Sequence, residues 1–197
     1  MKFVNQKDHP NWIYVTRTDL EGEEREKGRT TTVKSSGCGL CAAVMVADRL
    51  IPDCDFDLED ALDLAYACGA NRGVGTEYRI YAPAFAEKMH LRLEITYSVE
   101  ALLHCLHTGG IAVARVDSAE EGQGLFTRVR HYITVLNQEP DGRLAILDPG
   151  WDPAKFDEPD RKGRVEITHG KVVLCDVPTF VQQARTDVPP YYLFWRG

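Results

Sequence analysis

Cys38 stands at the mouth of an apolar segment, Cys38-Gly39-Leu40-Cys41-Ala42-Ala43-Val44-Met45-Val46, directly after Ser35-Ser36-Gly37. A helix N-terminus carries a positive partial charge that stabilises a thiolate, so a cysteine held there is a candidate nucleophile. Two distant residues supply what such a thiolate needs. His131 opens the run His131-Tyr132-Ile133-Thr134-Val135-Leu136, and Asp148 follows Arg143-Leu144-Ala145-Ile146-Leu147. Pro140-Asp141-Gly142 between the two runs is a turn signal and predicts a hairpin. Folding the hairpin brings its outer ends together, so His131 and Asp148 become neighbours across the strands. A carboxylate beside an imidazole fixes its tautomer and supports its charged form. An imidazolium beside Cys38 lowers the thiol pKa further, giving an ion pair ready for acyl transfer.

The elements that must position these residues follow from periodicity. Leu40, Ala43, Val44, Ala47 and Leu50 form the apolar stripe of a helix over 38–50, ended by Pro52 and Asp53. Asp57 caps a second helix, 58–68, which Gly69 stops. Gly73-Val74-Gly75-Thr76 leads into a third helix over about 77–89. From residue 91 the character changes. Residues 91–97 alternate as a strand, a helix spans about 98–107 to Gly109-Gly110, and 111–116 reads as a buried strand. After the hairpin, 172–174 and 191–195 add two strands, with a helix over 178–185 between them. Helices first and antiparallel strands afterwards predict an α+β fold with segregated layers in a single domain spanning 1–197, helical over about 36–90 and sheet over about 91–197. Residues 1–34 read as irregular, with a charge cluster from Asp19 to Arg29 as an exposed loop.

Composition narrows the function classes. The formal charge of −7 argues against a nucleic-acid or anionic-membrane partner. Arg128, Arg130, Arg161, Lys162 and Arg164 are interspersed with acids and read as a solvated surface. No apolar run approaches the ~20 residues of a membrane span, and the first residues lack a signal-peptide core; a cytoplasmic location is the expectation, with export after removal of a leader as the alternative. The six cysteines, Cys38, Cys41, Cys54, Cys68, Cys105 and Cys175, are scattered in a long chain, which favours reduced thiols over a disulfide framework.

At this point a family resemblance emerges. Ser36-Gly37-Cys38-Gly39 and the run to Met45-Val46 resemble the nucleophile helix of bacterial papain-like cysteine peptidases, and most nearly of the bacteriocin double-glycine leader peptidase-like family. His131-Tyr132-Ile133-Thr134-Val135 and Leu147-Asp148-Pro149 follow in that family's order. Asn5-Gln6-Lys7-Asp8 up to Trp12 is similar to its opening, and Gly75-Thr76 to a Gly-Thr after the second helix. The resemblance covers about residues 3 to 149. It implies a papain-like fold with N-terminal helices packed on a C-terminal antiparallel sheet. It also implies a cysteine peptidase or related thiol amidohydrolase acting on a peptide or small amide, and no metal or organic cofactor. It makes Gln6 the oxyanion residue, beside the Cys38 backbone N–H. Leu40, Cys41 and Arg130 depart from the family pattern, where proline, threonine and glycine are usual; Arg130 is placed to narrow access or alter the substrate. The charged loop 17–34 and segment 118–128 are expected to border the cleft.

Other readings compete. Cys38 alone could be a buried structural cysteine, and the same fold could serve as a silent binding module. Cys38 and Cys41 could form a dithiol redox pair, but neither the preceding strand nor the adjacent tryptophan of a thioredoxin site is present; core packing is the plainer role for Cys41. A zinc site from Cys38 and Cys41 with His104, Cys105 or His107 lacks a second paired motif. Gly73-Val74-Gly75 reads as a plain loop, no Gly-x-Ser-x-Gly elbow occurs, and His9, His90 and His169 have no evident partners.

Overall fold

The structure is a computed structural model and describes residues 2–12, 14, 31–51, 53–72, 75–168 and 170–197. A 3-10 turn, Gln6–Asp8, precedes the helices α1 (Val33–Ser36), α2 (Cys38–Leu50) and α3 (Leu58–Ala67). Asp57 caps α3 by accepting from the backbone of Glu59 and Asp60, and Gly69 at φ 71° turns the chain away. A short hairpin of β1 (Asn71–Arg72) and β2 (Gly75–Thr76) leads into α4 (Tyr78–Lys88). Then follow β3 (Leu91–Thr96), α5 (Val99–His107), β4 (Ile111–Val116), β5 (His131–Gln138) and β6 (Leu144–Leu147). A 3-10 helix (Pro153–Asp157), β7 (Glu166–Ile167), β8 (Val172–Cys175), α6 (Val177–Gln183) and β9 (Tyr191–Arg196) complete the chain. The charge cluster of 19–29 lies outside the described residues, as do Gly73, Val74 and His169.

Seven strands form an antiparallel sheet in the order β3-β9-β4-β5-β6-β8-β7. The last strand therefore lies between β3 and β4, a placement that no local pattern announces. Side chains alternate across the sheet. Ile111, Val113, Tyr192 and Phe194 pack into one core with α2, α3 and α4. Ala112, Ala114, Ile133, Val135 and Leu193 pack into a second with α5 and Phe180 of α6. The N-terminal helices pack on the antiparallel sheet, and α5 and α6 add a layer on its opposite face. Covered on both faces, β4 and β6 are buried at every position.

The same covering explains α2. Every residue from Gly39 to Ala47 is buried, not only one stripe, because α3 and the sheet enclose the helix. Cys38 is thus the first residue of a central helix anchored along its length. None of the helices among the described residues is long and apolar enough to cross a membrane.

Candidate active site

Cys38 is half-buried at the first position of α2, with Gly37 as its N-cap. Close approach rules out a side chain at Gly37 and crowds one at Gly39. A Cβ on Gly37 would lie 2.5 Å from Val33 Cγ1, and one on Gly39 would lie 3.1 Å from the Tyr78 ring and 3.2 Å from Thr76 Cβ. Burial pushes the Cys38 thiol up, and the neighbouring His131 imidazole pushes it down. Backbone N–H groups of Tyr132 and Gly39 add to this, so the thiol lies below its ordinary value.

His131 opens β5, opposite Val116 of β4, and is 7% exposed. Its Nε2 lies 2.7 Å from Oδ1 of Asp148, which is fully buried just past the end of β6. An ionised carboxylate only accepts, so Nε2 carries a proton and donates, leaving Nδ1 for the thiol. The hairpin register explains the meeting. Thr134 pairs with Leu147, and the same register carried outward brings His131 to Asp148 and Gly150. Burial works against charge on His131, but Asp148 and then Cys38 raise its pKa to about 9. Burial likewise opposes ionisation of Asp148, yet His131 and Lys155 hold it well below the usual carboxylate range.

Lys155, in the 3-10 helix after β6, is a member of this group that sequence reasoning missed. Its Nζ donates to Asp148 Oδ2, to the carbonyl of Phe126 at 3.1 Å and to that of Gly150 at 3.3 Å. The Gly150 N–H donates to Asp148 Oδ1 at 2.7 Å. Asp148 is thereby held from three directions, with both oxygens satisfied. No spacing rule marks Lys155, because a lysine after a capping Asp152-Pro153 looks like any solvated lysine.

Gln6 is 8% exposed and borders a cavity together with Cys38 and His131. Its side-chain Nε2 donates to the Lys34 carbonyl at 2.7 Å, which orients the amide and leaves its second N–H for another acceptor.

Two cavities meet at Cys38. One, of about 320 Å³, extends past Gln6, His131 and Lys155 and is bordered by Phe126, Thr127 and Arg128 of segment 118–128. The other, of about 230 Å³, extends past Tyr132, Thr76 and Arg72. Ser35 and Arg130 border both. Arg130 is largely exposed and points its Nε at Asp117 Oδ2, 3.7 Å away. Of the charged loop 17–34, only residues 31–34 are described.

The remaining candidates lie elsewhere. Cys41 is fully buried, and burial together with the charge of Cys38 pushes its thiol far up. Leu40 is buried beside it. Cys105 belongs to the core on the opposite face of the sheet from α2, so the zinc set of Cys38, Cys41, His104, Cys105 and His107 is split by the sheet. Gly75 pairs with Arg72 in a hairpin rather than opening a helix over a phosphate. His9 packs on Trp12 with ring centroids 5.2 Å apart.

No protein-family model matches the chain, and no curated protein matches it. The fold does match a crystal structure from Bacillus anthracis, that of a protein provisionally assigned as a C39-like peptidase. The match covers 100% of this chain and 99% of the other, with a TM-score of 0.54 and 11% identity. At that identity the likeness concerns architecture: the chain has the papain-like fold of a C39-like peptidase.

Proposed function

We propose that the protein is a cysteine peptidase or related thiol amidohydrolase that cleaves a peptide or small amide bond through Cys38, His131 and Asp148. The observation that carries this reading is one grouping: a helix-tip thiol beside an imidazole with a raised pKa, which is itself hydrogen-bonded to a buried ionised carboxylate. The Cys38 thiolate attacks the substrate carbonyl and forms an Sγ–C bond. The Cys38 backbone N–H and the second N–H of Gln6 receive the developing oxyanion. His131 gives its proton to the leaving amine as the C–N bond breaks, and a thioester remains. Neutral His131 then takes a proton from water, the resulting hydroxide displaces the thiolate, and the acid product leaves. Asp148 keeps the ring oriented through both steps.

Iodoacetamide labelling at mildly acidic pH tests this. Cys38 should react faster than an ordinary thiol, and the advantage should vanish in His131→Ala. Hydrolysis of any responsive substrate should be lost in Cys38→Ala. A Cys38 that labels no faster than an ordinary thiol would instead favour a binding module on the same fold.

A further inference from the structure

The cavity of about 230 Å³ beside Cys38 is basic, although the chain as a whole carries a net charge of −7. Four arginines line it, Arg72, Arg79, Arg115 and Arg130, against two carboxylates, Glu77 and Asp187. Both carboxylates are already engaged. Glu77 pairs with Arg79 at 3.1 Å, and Asp187 with Arg115 at 3.3 Å. Arg115 and Arg130 also share Asp117, at 3.6 Å and 3.7 Å. Arg72 is the exception. It is half-buried on β1, its Nε is buried without a hydrogen-bond partner, and it has no carboxylate partner among the described residues. A guanidinium has five donors and no acceptor, so a partly desolvated one calls for an anion.

The direction of the chemistry decides which part of a substrate reaches it. The leaving amine must take its proton from His131. His131 and Lys155 border the other cavity and not this one. The leaving group therefore departs past His131, and the acyl portion lies over Arg72.

We propose that the Arg72 side of Cys38 is an acyl-side subsite for a carboxylate-bearing substrate. It takes a glutamate or aspartate at or next to the bond that is cut, with Arg72 as its ion-pair partner. The proposal rests on the thiol amidohydrolase reading above. The unbalanced positive charge of the cavity, which low-dielectric walls concentrate, is that of Arg72; Arg79, Arg115 and Arg130 are balanced by Glu77, Asp187 and Asp117. Their own carboxylate partners keep them from competing for the substrate anion.

Chloromethyl ketones test this without a known substrate. The Cys38 thiolate attacks the methylene carbon, an S–C bond forms and chloride leaves. The probes are Ac-Glu-Gly-CH2Cl against Ac-Gln-Gly-CH2Cl, and Ac-Gly-Glu-CH2Cl against Ac-Gly-Gln-CH2Cl. Second-order alkylation rates are read from the intact mass of the protein. At least one glutamate probe should outpace its glutamine twin by about 10-fold, the effect of one hydrogen-bonded charge pair. Added salt should shrink that ratio, Arg72→Gln should bring it near one, and Arg72→Lys should keep part of it. Equal rates within both pairs overturn the proposal, as does a ratio indifferent to both salt and Arg72→Gln. If Arg72→Gln fails to fold, the wild-type ratio and its salt dependence decide alone. Fast alkylation with equal rates sinks only the carboxylate preference. A Cys38 that neither these probes nor iodoacetamide labels faster than an ordinary thiol sinks the amidohydrolase reading and this proposal together.

Discussion

The backbone N–H of Gln6 donates to the carbonyl of Pro149 at 2.8 Å, fastening the N-terminal segment to the turn that follows Asp148. The Gln6 side chain bonds the Lys34 carbonyl, in the helix just before α2. Gln6 thus bridges the two chain segments that deliver the carboxylate and the thiol. An amide held at both backbone and side chain loses little further freedom when it meets a developing oxyanion, which suits a donor of that kind.

Replacing Gln6 by alanine should lower kcat by about 10²–10³-fold, the effect of losing one oxyanion donor. KM should change little. Alkylation of Cys38 by iodoacetamide builds no oxyanion, so its rate should stay near that of the wild type. A parallel fall in both rates would mean that Gln6 acts by holding the site together and not on the oxyanion.

How much of this was legible beforehand depends on the range of each signal. Helix α2, the β5–β6 hairpin and its turn were readable because each rests on local periodicity or turn chemistry. Gly142 at φ 89° is the residue the turn demands. The meeting of His131 with Asp148 followed from that hairpin alone. The position of β9 between β3 and β4 was not legible, because strand order is settled by long-range packing of Tyr192 and Phe194 against α2 and α4. Gln6 could be named only by resemblance, since the Pro149 bond that places it spans most of the chain. Lys155 and Arg72 were not legible either. A lone basic residue in a polar segment becomes informative only when its carboxylate partner, or the lack of one, is seen.

The raised His131 and lowered Cys38 set a pH window. Labelling of Cys38 should rise with pH through a midpoint below the ordinary thiol value of 9.0. Turnover should fall above about 9, as His131 loses the proton it gives to the leaving amine. In His131→Ala the labelling midpoint should move up, because burial is then opposed only by the backbone N–H groups of Tyr132 and Gly39. Folding follows the same linkage. A His pKa raised above its unfolded value of 6.5 contributes stability in full below 6.5, and that contribution is lost as pH rises through about 9. Denaturant midpoints of wild type and His131→Gln across pH 6–10 would check it.

The two cations on Asp148 should separate stability from chemistry. Asp148→Asn leaves the Lys155 charge buried without its carboxylate, and should destabilise the fold by about 3–5 kcal/mol. It should also move the alkaline limb of activity below about 9, because the main support for imidazolium is gone. Lys155→Met should move that limb the other way, since removing a cation beside the pair makes imidazolium easier to hold. The double variant should recover stability and not turnover. Chemical denaturation and pH–rate profiles of the three proteins give both readouts.

Cys41 provides the sharpest separation between acyl transfer and dithiol redox chemistry. It lies one helical turn beyond Cys38, fully buried, with its thiol pushed far above the ordinary range by burial and by Cys38. A thiol held protonated in a dry core neither attacks a disulfide nor leaves one readily. Cys41→Ser puts a hydroxyl into that apolar position, and should lower stability by about 1–3 kcal/mol. Cys38 labelling and hydrolysis should survive it, because nothing in the Cys38–His131–Asp148 line passes through Cys41. A redox pair would behave in the opposite way: the wild type would reduce insulin disulfides and Cys41→Ser would not. An insulin-reduction assay run beside iodoacetamide labelling of the same two proteins decides between them.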